Sequence, residues 1–177
     1  MIRSTVCALP CGDMNQGATS AQGTRRLGRY DQLVRQGFLR QEELAISVSE
    51  AARKRLDAAT FLMDRYRIPK LAIGAALAEF YRCPFLDDDE RMVVDRDLLK
   101  NLSFDYLRMN HWMPLRRQGT GVEVLIDDPH DADKILDVRR AFPGQAISYR
   151  VGLRADIERV LGTASGREVG DPITDIL

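Results

Sequence analysis

The chain has 177 residues, 45% hydrophobic and 29% charged, with a formal net charge of zero. That is an ordinary globular mixture, long enough for one compact domain or two small ones. It offers no global basic field for nucleic acid or an acidic lipid surface. It also has no run near the ~18 apolar residues of a membrane span, so neither nucleic-acid binding nor direct membrane insertion is expected.

The opening stretch, MIRSTVCALPCGDMNQGATSAQGT, is polar and rich in small residues. Residues 1–24 are therefore expected to be a disordered tail. Its apolar part is too short for a signal-peptide core. With three cysteines and no secretion signal, the cytoplasm is the default compartment. Cys7 and Cys11 could hold a metal only with partners from elsewhere, and a zinc site is not expected.

Residues 25–83 read as a helical subdomain of about four helices. RLGRYDQLVRQG ends on Gly37, a residue suited to the position just past a helix. In RQEELAISVSEAARKRL, Leu44, Val48, Ala51 and Ala52 share one helical face. DAATFLMDRY turns Ala59, Leu62 and Met63 inward. IPKLAIGAALAEFY opens on Pro69, a residue favoured in the first turn, and aligns Ile73, Leu77, Phe80 and Tyr81. Gly74, Ala75, Ala76 and Ala78 leave room for a neighbouring helix. The two Arg-Leu-led halves form a weak internal repeat, as two packed helical hairpins would.

Residues 84–110 are expected to be connecting helices. Pro84 ends the helix before it, and Asp87, Asp88, Asp89 and Glu90 read as a solvated acidic connection. VDRDLLKNLSFDYLRMNH is helical in two pieces, with Leu98, Leu99, Leu102, Tyr106 and Leu107 apolar.

After Trp112 the period falls from 3.6 to 2. WMPLRRQGTGVEVLI predicts a hairpin turning at residues 118–121, with Val122, Val124 and Ile126 alternating. A helix follows from about His130 to Phe142, stopped by Pro143 and Gly144, with Ile135, Leu136 and Val138 on its apolar side. Ile147, Tyr149 and Val151 mark a third strand. Ile157, Val160 and Leu161 mark a last helix closed by Gly162. The fold class is therefore α+β. A helical subdomain precedes a small β-β-α-β-α subdomain at residues 111–162, whose three-stranded sheet carries helices on one face. Residues 163–177 read as a linker or tail toward a motor domain not in this chain.

The turn IDDPHD, with Asp131 and Asp133, has two readings. Aspartates cap helix N-termini by accepting from free N–H groups and sit well in the helix dipole. Asp128 or Asp131 is then a cap and Asp133 a first-turn charge. The alternative is a metal site, which needs convergent ligands from elsewhere, with only His111 as a spare imidazole. Capping is the reading adopted here.

The order of these pieces resembles the N-terminal domain of the type II secretion and type IV pilus assembly ATPases, over residues 26–162. The Arg-Leu-Gly-led repeat, AALAEFYRCPF, WMPL, EVLIDDPHD and YRVGLRADIERVLG carry the likeness. The resemblance gives the IDDP turn the end of a core strand and no catalytic role. It implies a non-catalytic regulatory or adaptor domain, docking the motor to the cytoplasmic part of an inner-membrane assembly protein. It also implies a hexameric C-terminal ATPase domain as partner, and a cytoplasmic place, peripheral at the inner membrane. No Gly-x-x-x-x-Gly-Lys-[Ser/Thr] loop occurs and no lysine follows a glycine. ATP and Mg would belong to the family's motor domain, and no cofactor or catalysis is expected of this chain. Phe38, Phe61 and Trp112 are the aromatic candidates for an exposed docking patch.

Some members of that family bind cyclic di-GMP through tandem Arg-Leu-Gly-led motifs, where arginines and backbone amides meet guanine and phosphate. The residues that carry over are Arg26, Leu27 and Gly28 in the first copy, and Arg55 and Leu56 in the second. The departures are clear. The distance from Gly28 to Gly37 is about two residues too long, Asp57 stands where glycine is expected, and Phe80 stands where glutamine is usual. A carboxylate there repels a diphosphate, and the missing glycine removes close backbone approach.

Overall fold

A computed structural model describes residues 28–87 and 94–165. The expected tail at 1–24, the motif residues Arg26 and Leu27, the acidic residues Asp88, Asp89 and Glu90, and residues 166–177 lie outside the described residues. Four helices come first: α1 (Asp31–Arg35), α2 (Gln41–Arg53), α3 (Ala58–Tyr66) and α4 (Lys70–Tyr81). Two short helices follow, α5 (Arg96–Leu99) and α6 (Phe104–Asn110). Then come β1 (Trp112–Gln118), β2 (Gly121–Ile126), α7 (Ala132–Ala141), β3 (Ala146–Val151) and α8 (Arg154–Ala164). The α+β class and the β-β-α-β-α order match the sequence reading. Among the described residues, no helix is long and apolar enough to cross a membrane.

Local chemistry sets the helix ends. Gly37 takes a left-handed φ of 79°. Its N–H donates to the Val34 carbonyl, and that of Phe38 to Leu33, both at 3.0 Å. This pair of bonds satisfies the last carbonyls of α1. Asp57 caps α3, accepting from the Thr60 N–H at 3.0 Å. Ser103 and Asp131 cap α6 and α7 in the same way.

The inner face of α2 is rotated from the expected one. Leu44, Ser47 and Ala51 are buried, whereas Val48 and Ala52 are exposed. The Ser47 hydroxyl lies 3.0 Å from the Tyr66 hydroxyl of α3. That bond removes the penalty of burying a polar group, so a serine can replace an apolar residue on the packing face.

The sheet runs β1-β2-β3, with β1 and β2 antiparallel and β2 and β3 parallel. The parallel pair needs a crossover, which α7 supplies. Pro114 sits on the outer strand next to a bulge, a position where a missing N–H is tolerated. The expected one-sided packing is corrected here. All six residues of β2 are buried, so side chains pointing to either face of the sheet are covered. Helices α5, α6 and α8 pack on β1, and α4 packs on β3.

Two cores result. Leu33, Leu44, Leu62, Ile73 and Leu77 fill the helical one, and Val151 and Leu153 from the end of β3 enter it. Trp112, Met113, Val124, Ile126, Ile157 and Leu161 fill the other, with Leu98, Leu99 and Leu107. The segment after α4 joins the two. Phe85 bridges Val151, and the Leu86 N–H donates to the Val151 carbonyl at 3.0 Å. Lys70 of α4 reaches Asp87 at 2.8 Å and Asp156 of α8 at 2.9 Å.

Candidate functional site

The described motif residues fall in two separate places. Gly28 is exposed where the chain turns into α1, and its N–H donates to Asp31 Oδ2 at 2.7 Å. Arg55 and Leu56 form the exit of α2. The Arg55 N–H donates to the Ala52 carbonyl and the Leu56 N–H to the Ala51 carbonyl, the same two-bond helix stop seen after α1. Arg55 holds a φ of 57°, a conformation that glycine adopts most easily. Leu56 is 52% exposed.

A cavity of about 310 Å³ opens beside Gly28. Leu44, Ala45 and Val48 of α2 wall it, and Gly28, Arg29 and Asp31 form part of its rim. Arg55 and Leu56 do not line it. Arg55 and Leu56 are therefore not brought to Gly28 around this cavity. Asp57 is occupied as the cap of α3 and accepts from both the N–H and the hydroxyl of Thr60.

Behind the cavity lies a charged seam between the helical and mixed subdomains. Arg29, Tyr30 and Asp57 meet Asp127 and Arg154 around a small gap. The Arg29 guanidinium lies 2.5 Å from Asp128 Oδ2 and stands 5.3 Å above the centre of the Tyr81 ring. Burial alone would lower the Arg29 pKa, but Tyr81, Tyr30 and Asp128 outweigh it and the pKa rises. Burial, with the nearby charge of Asp57, pushes the Tyr30 phenol up to about 12. Both groups therefore keep their ordinary charge states near neutrality. Arg154 reaches Asp127 at 2.8 Å and Asp57 at 3.9 Å, and Lys134 reaches Asp127 at 2.5 Å.

These contacts account for the carboxylates of IDDPHD. Asp131 is the cap, accepting from the N–H groups of Asp133 at 3.1 Å and Lys134 at 3.3 Å. Asp127 pairs with Lys134 and Arg154. Asp128 takes Arg29 on one oxygen and the His130 N–H at 3.0 Å on the other. The His130 ring packs on Tyr81, centroids 4.9 Å apart. Among the described residues, no three His, Cys, Asp or Glu side chains group as metal ligands.

Of the aromatic docking candidates, Trp112 is core at 1% exposure, because the start of β1 lies under α6 and α8. Phe61 is partly buried, with Lys54 and Arg65 over its ring at 5.6 Å. Phe38 is exposed. Sequence reasoning missed Arg29, Asp128 and Arg154 as a group. Arg29 occupies an unspecified motif position and pairs across 99 residues. Local periodicity contains no signal for such a pair. The nearest hint was a run of aspartates larger than one cap requires.

Comparison with known proteins gives one family and one fold. The MshEN domain matches residues 81–171, a span that runs from Tyr81 through the connecting helices and the mixed subdomain. A solved structure of MshE with cdg, that is cyclic di-GMP, aligns with 78% of this chain and 99% of that one, at 16% identity and a TM-score of 0.62. The N-terminal domain of XpsE aligns with 75% of this chain and 90% of that one, at 22% identity and a TM-score of 0.52. Identities this low establish a shared fold only. No curated protein matches the chain.

Proposed function

The chain belongs to the MshEN domain family, and on that premise we propose that it is a non-catalytic regulatory and adaptor domain of a type II secretion or type IV pilus assembly ATPase. It docks the motor to the cytoplasmic part of an inner-membrane assembly protein and so works in the cytoplasm, peripheral to that membrane. The observation that carries this reading is the outer side of α2. Ile46 is 59% exposed, while Leu44, Ser47 and Ala51 fix the opposite side of the helix in the core. An exposed isoleucine on a firmly held helix, with charged residues around it, is the kind of anchor that a protein interface uses. Binding of the purified chain to the cytoplasmic part of its assembly protein tests this. Ile46→Asp should abolish the complex, and Leu136→Asp on α7 should leave it intact. A complex indifferent to Ile46→Asp, or no complex at all, defeats the reading.

A second reading is supported by the Gly28 cavity and by the presence of cyclic di-GMP in a protein of the same fold. Here the chain senses the dinucleotide through Arg26, Leu27 and Gly28, with Arg29 at the rim. Arg55 and Leu56 would contribute only from outside the cavity. Calorimetry with the dinucleotide tests it. Micromolar binding that is lost in Arg26→Ala and in the cavity-filling Ala45→Trp supports it. Silence at high protein concentration removes it.

A further inference from the structure

We propose that Asp128 is a built-in competitor for the anionic ligand of the Gly28 cavity: a phosphate that engages Arg29 displaces Asp128 and frees the β2–α7 turn from the helical subdomain. This rests on the second reading above. It adds a route by which occupancy is felt in the mixed subdomain.

Arg29 serves both places. It stands on the cavity rim, and it is 2.5 Å from Asp128 in the other subdomain. Both side chains are part-exposed rather than sealed in a core, so exchange of partners needs no unfolding. A guanidinium binds phosphate through the same forked geometry that it offers a carboxylate. A phosphate diester in the cavity therefore meets Arg29 as Asp128 does.

Asp128 loses its ion pair to the helical subdomain when Arg29 turns to a phosphate. Asp127 stays held by Lys134 and Arg154 throughout, so the change is confined to Asp128, His130 and the end of α4. His130 reports it, because its N–H donates to Asp128 Oδ1 and its ring packs on Tyr81 and Phe80.

Coupling of this kind is reciprocal. Removing the competitor must strengthen ligand binding. The experiment is calorimetry of the whole chain with cyclic di-GMP, using wild type and Asp128→Asn. Hydrogen exchange of the His130 amide is followed alongside it in wild type. Asp128→Asn should bind about fivefold or more tightly. Saturation of the wild type should lower protection of the His130 amide. Equal affinities for wild type and Asp128→Asn, with an unchanged His130 amide, overturn the competition and leave the ligand reading standing. No heat from either protein removes both. If Asp128→Asn is poorly folded, the His130 amide in wild type decides alone: unchanged protection on saturation sinks the proposal.

Discussion

Phe85 lies over Gly74 so closely that a methyl group at that α-carbon would stand 2.3 Å from Phe85 Cδ1. The small residue in α4 thus receives a ring from the connecting segment, not a neighbouring helix. The same Phe85 bridges Val151, so this contact ties the helical core to the sheet.

Replacing Gly74 by alanine is therefore expected to destabilise the chain. Helix propensity favours alanine by up to ~1 kcal/mol, but overpacking typically costs about 1–3 kcal/mol. The net expectation is a loss of about 1–2 kcal/mol in urea unfolding. Gly74→Ala combined with Phe85→Leu should lose less than the sum of the two single changes, since the pair shares one clash. Strict additivity would mean that the ring is not the obstacle.

Arg55 offers the opposite experiment. It holds a φ of 57° at the end of α2, where a side chain costs about 1–2 kcal/mol relative to glycine. Glycine gives part of that back through its more disordered unfolded state. Arg55→Gly should raise stability by about 0.5–1 kcal/mol, read as a higher urea midpoint at unchanged slope. A lower midpoint would assign the Arg55 side chain a stabilising contact that its exposed position does not indicate.

Much of this architecture could be read from local pattern, and the reason is visible at particular residues. Gly37 and Asp131 end and begin helices through bonds that span only a few residues, so spacing alone reveals them. Ile73, Leu77 and Ile157 follow the helical period into the core. The pattern fails where a distant partner decides. Ser47 is buried because Tyr66 meets it, and β2 loses its alternation because it is the central strand, where Glu123 is covered by Arg116 and Arg150 of the strands beside it. The candidate site is the extreme case. Gly28 was accessible to motif reading, but the Arg29–Asp128 pair exists only once two subdomains meet.

Glu123 carries a pH dependence. It is buried in the central strand and accepts from Arg116 at 2.8 Å and Arg150 at 2.6 Å. Burial alone would raise its pKa, but the two arginines outweigh burial and hold it below the ordinary carboxylate range. Its contribution to stability is thus fully present above about pH 4.3, the ordinary glutamate value. It is lost as pH falls through the lower folded value. Glu123→Gln should cost about 1–3 kcal/mol at pH 7, less than for a fully buried pair because Arg116 is half-exposed. The gap between the two proteins should close below pH 4. A gap that stays constant down to pH 3 would show that the arginines do not hold the charge.

The two helices of the mixed subdomain separate core from surface in a way that truncation can measure. Ile157 on α8 is fully buried, Ile135 on α7 is partly buried, and Leu136 beside it is 47% exposed. All three looked apolar and inward by period. Removing a fully buried isoleucine side chain leaves a cavity and costs about 2–5 kcal/mol, whereas a surface truncation stays within about 0.5 kcal/mol. Urea unfolding should therefore rank Ile157→Ala as most damaging, Ile135→Ala as intermediate at about 1–2 kcal/mol, and Leu136→Ala as nearly silent. The order matters more than the values, because α7 meets the sheet mainly through Val138 and Phe142. A Leu136→Ala loss as large as that of Ile157→Ala would mean that α7 is rotated toward the sheet. Asp137, which accepts from the Tyr106 hydroxyl of α6, would then have to leave that partner.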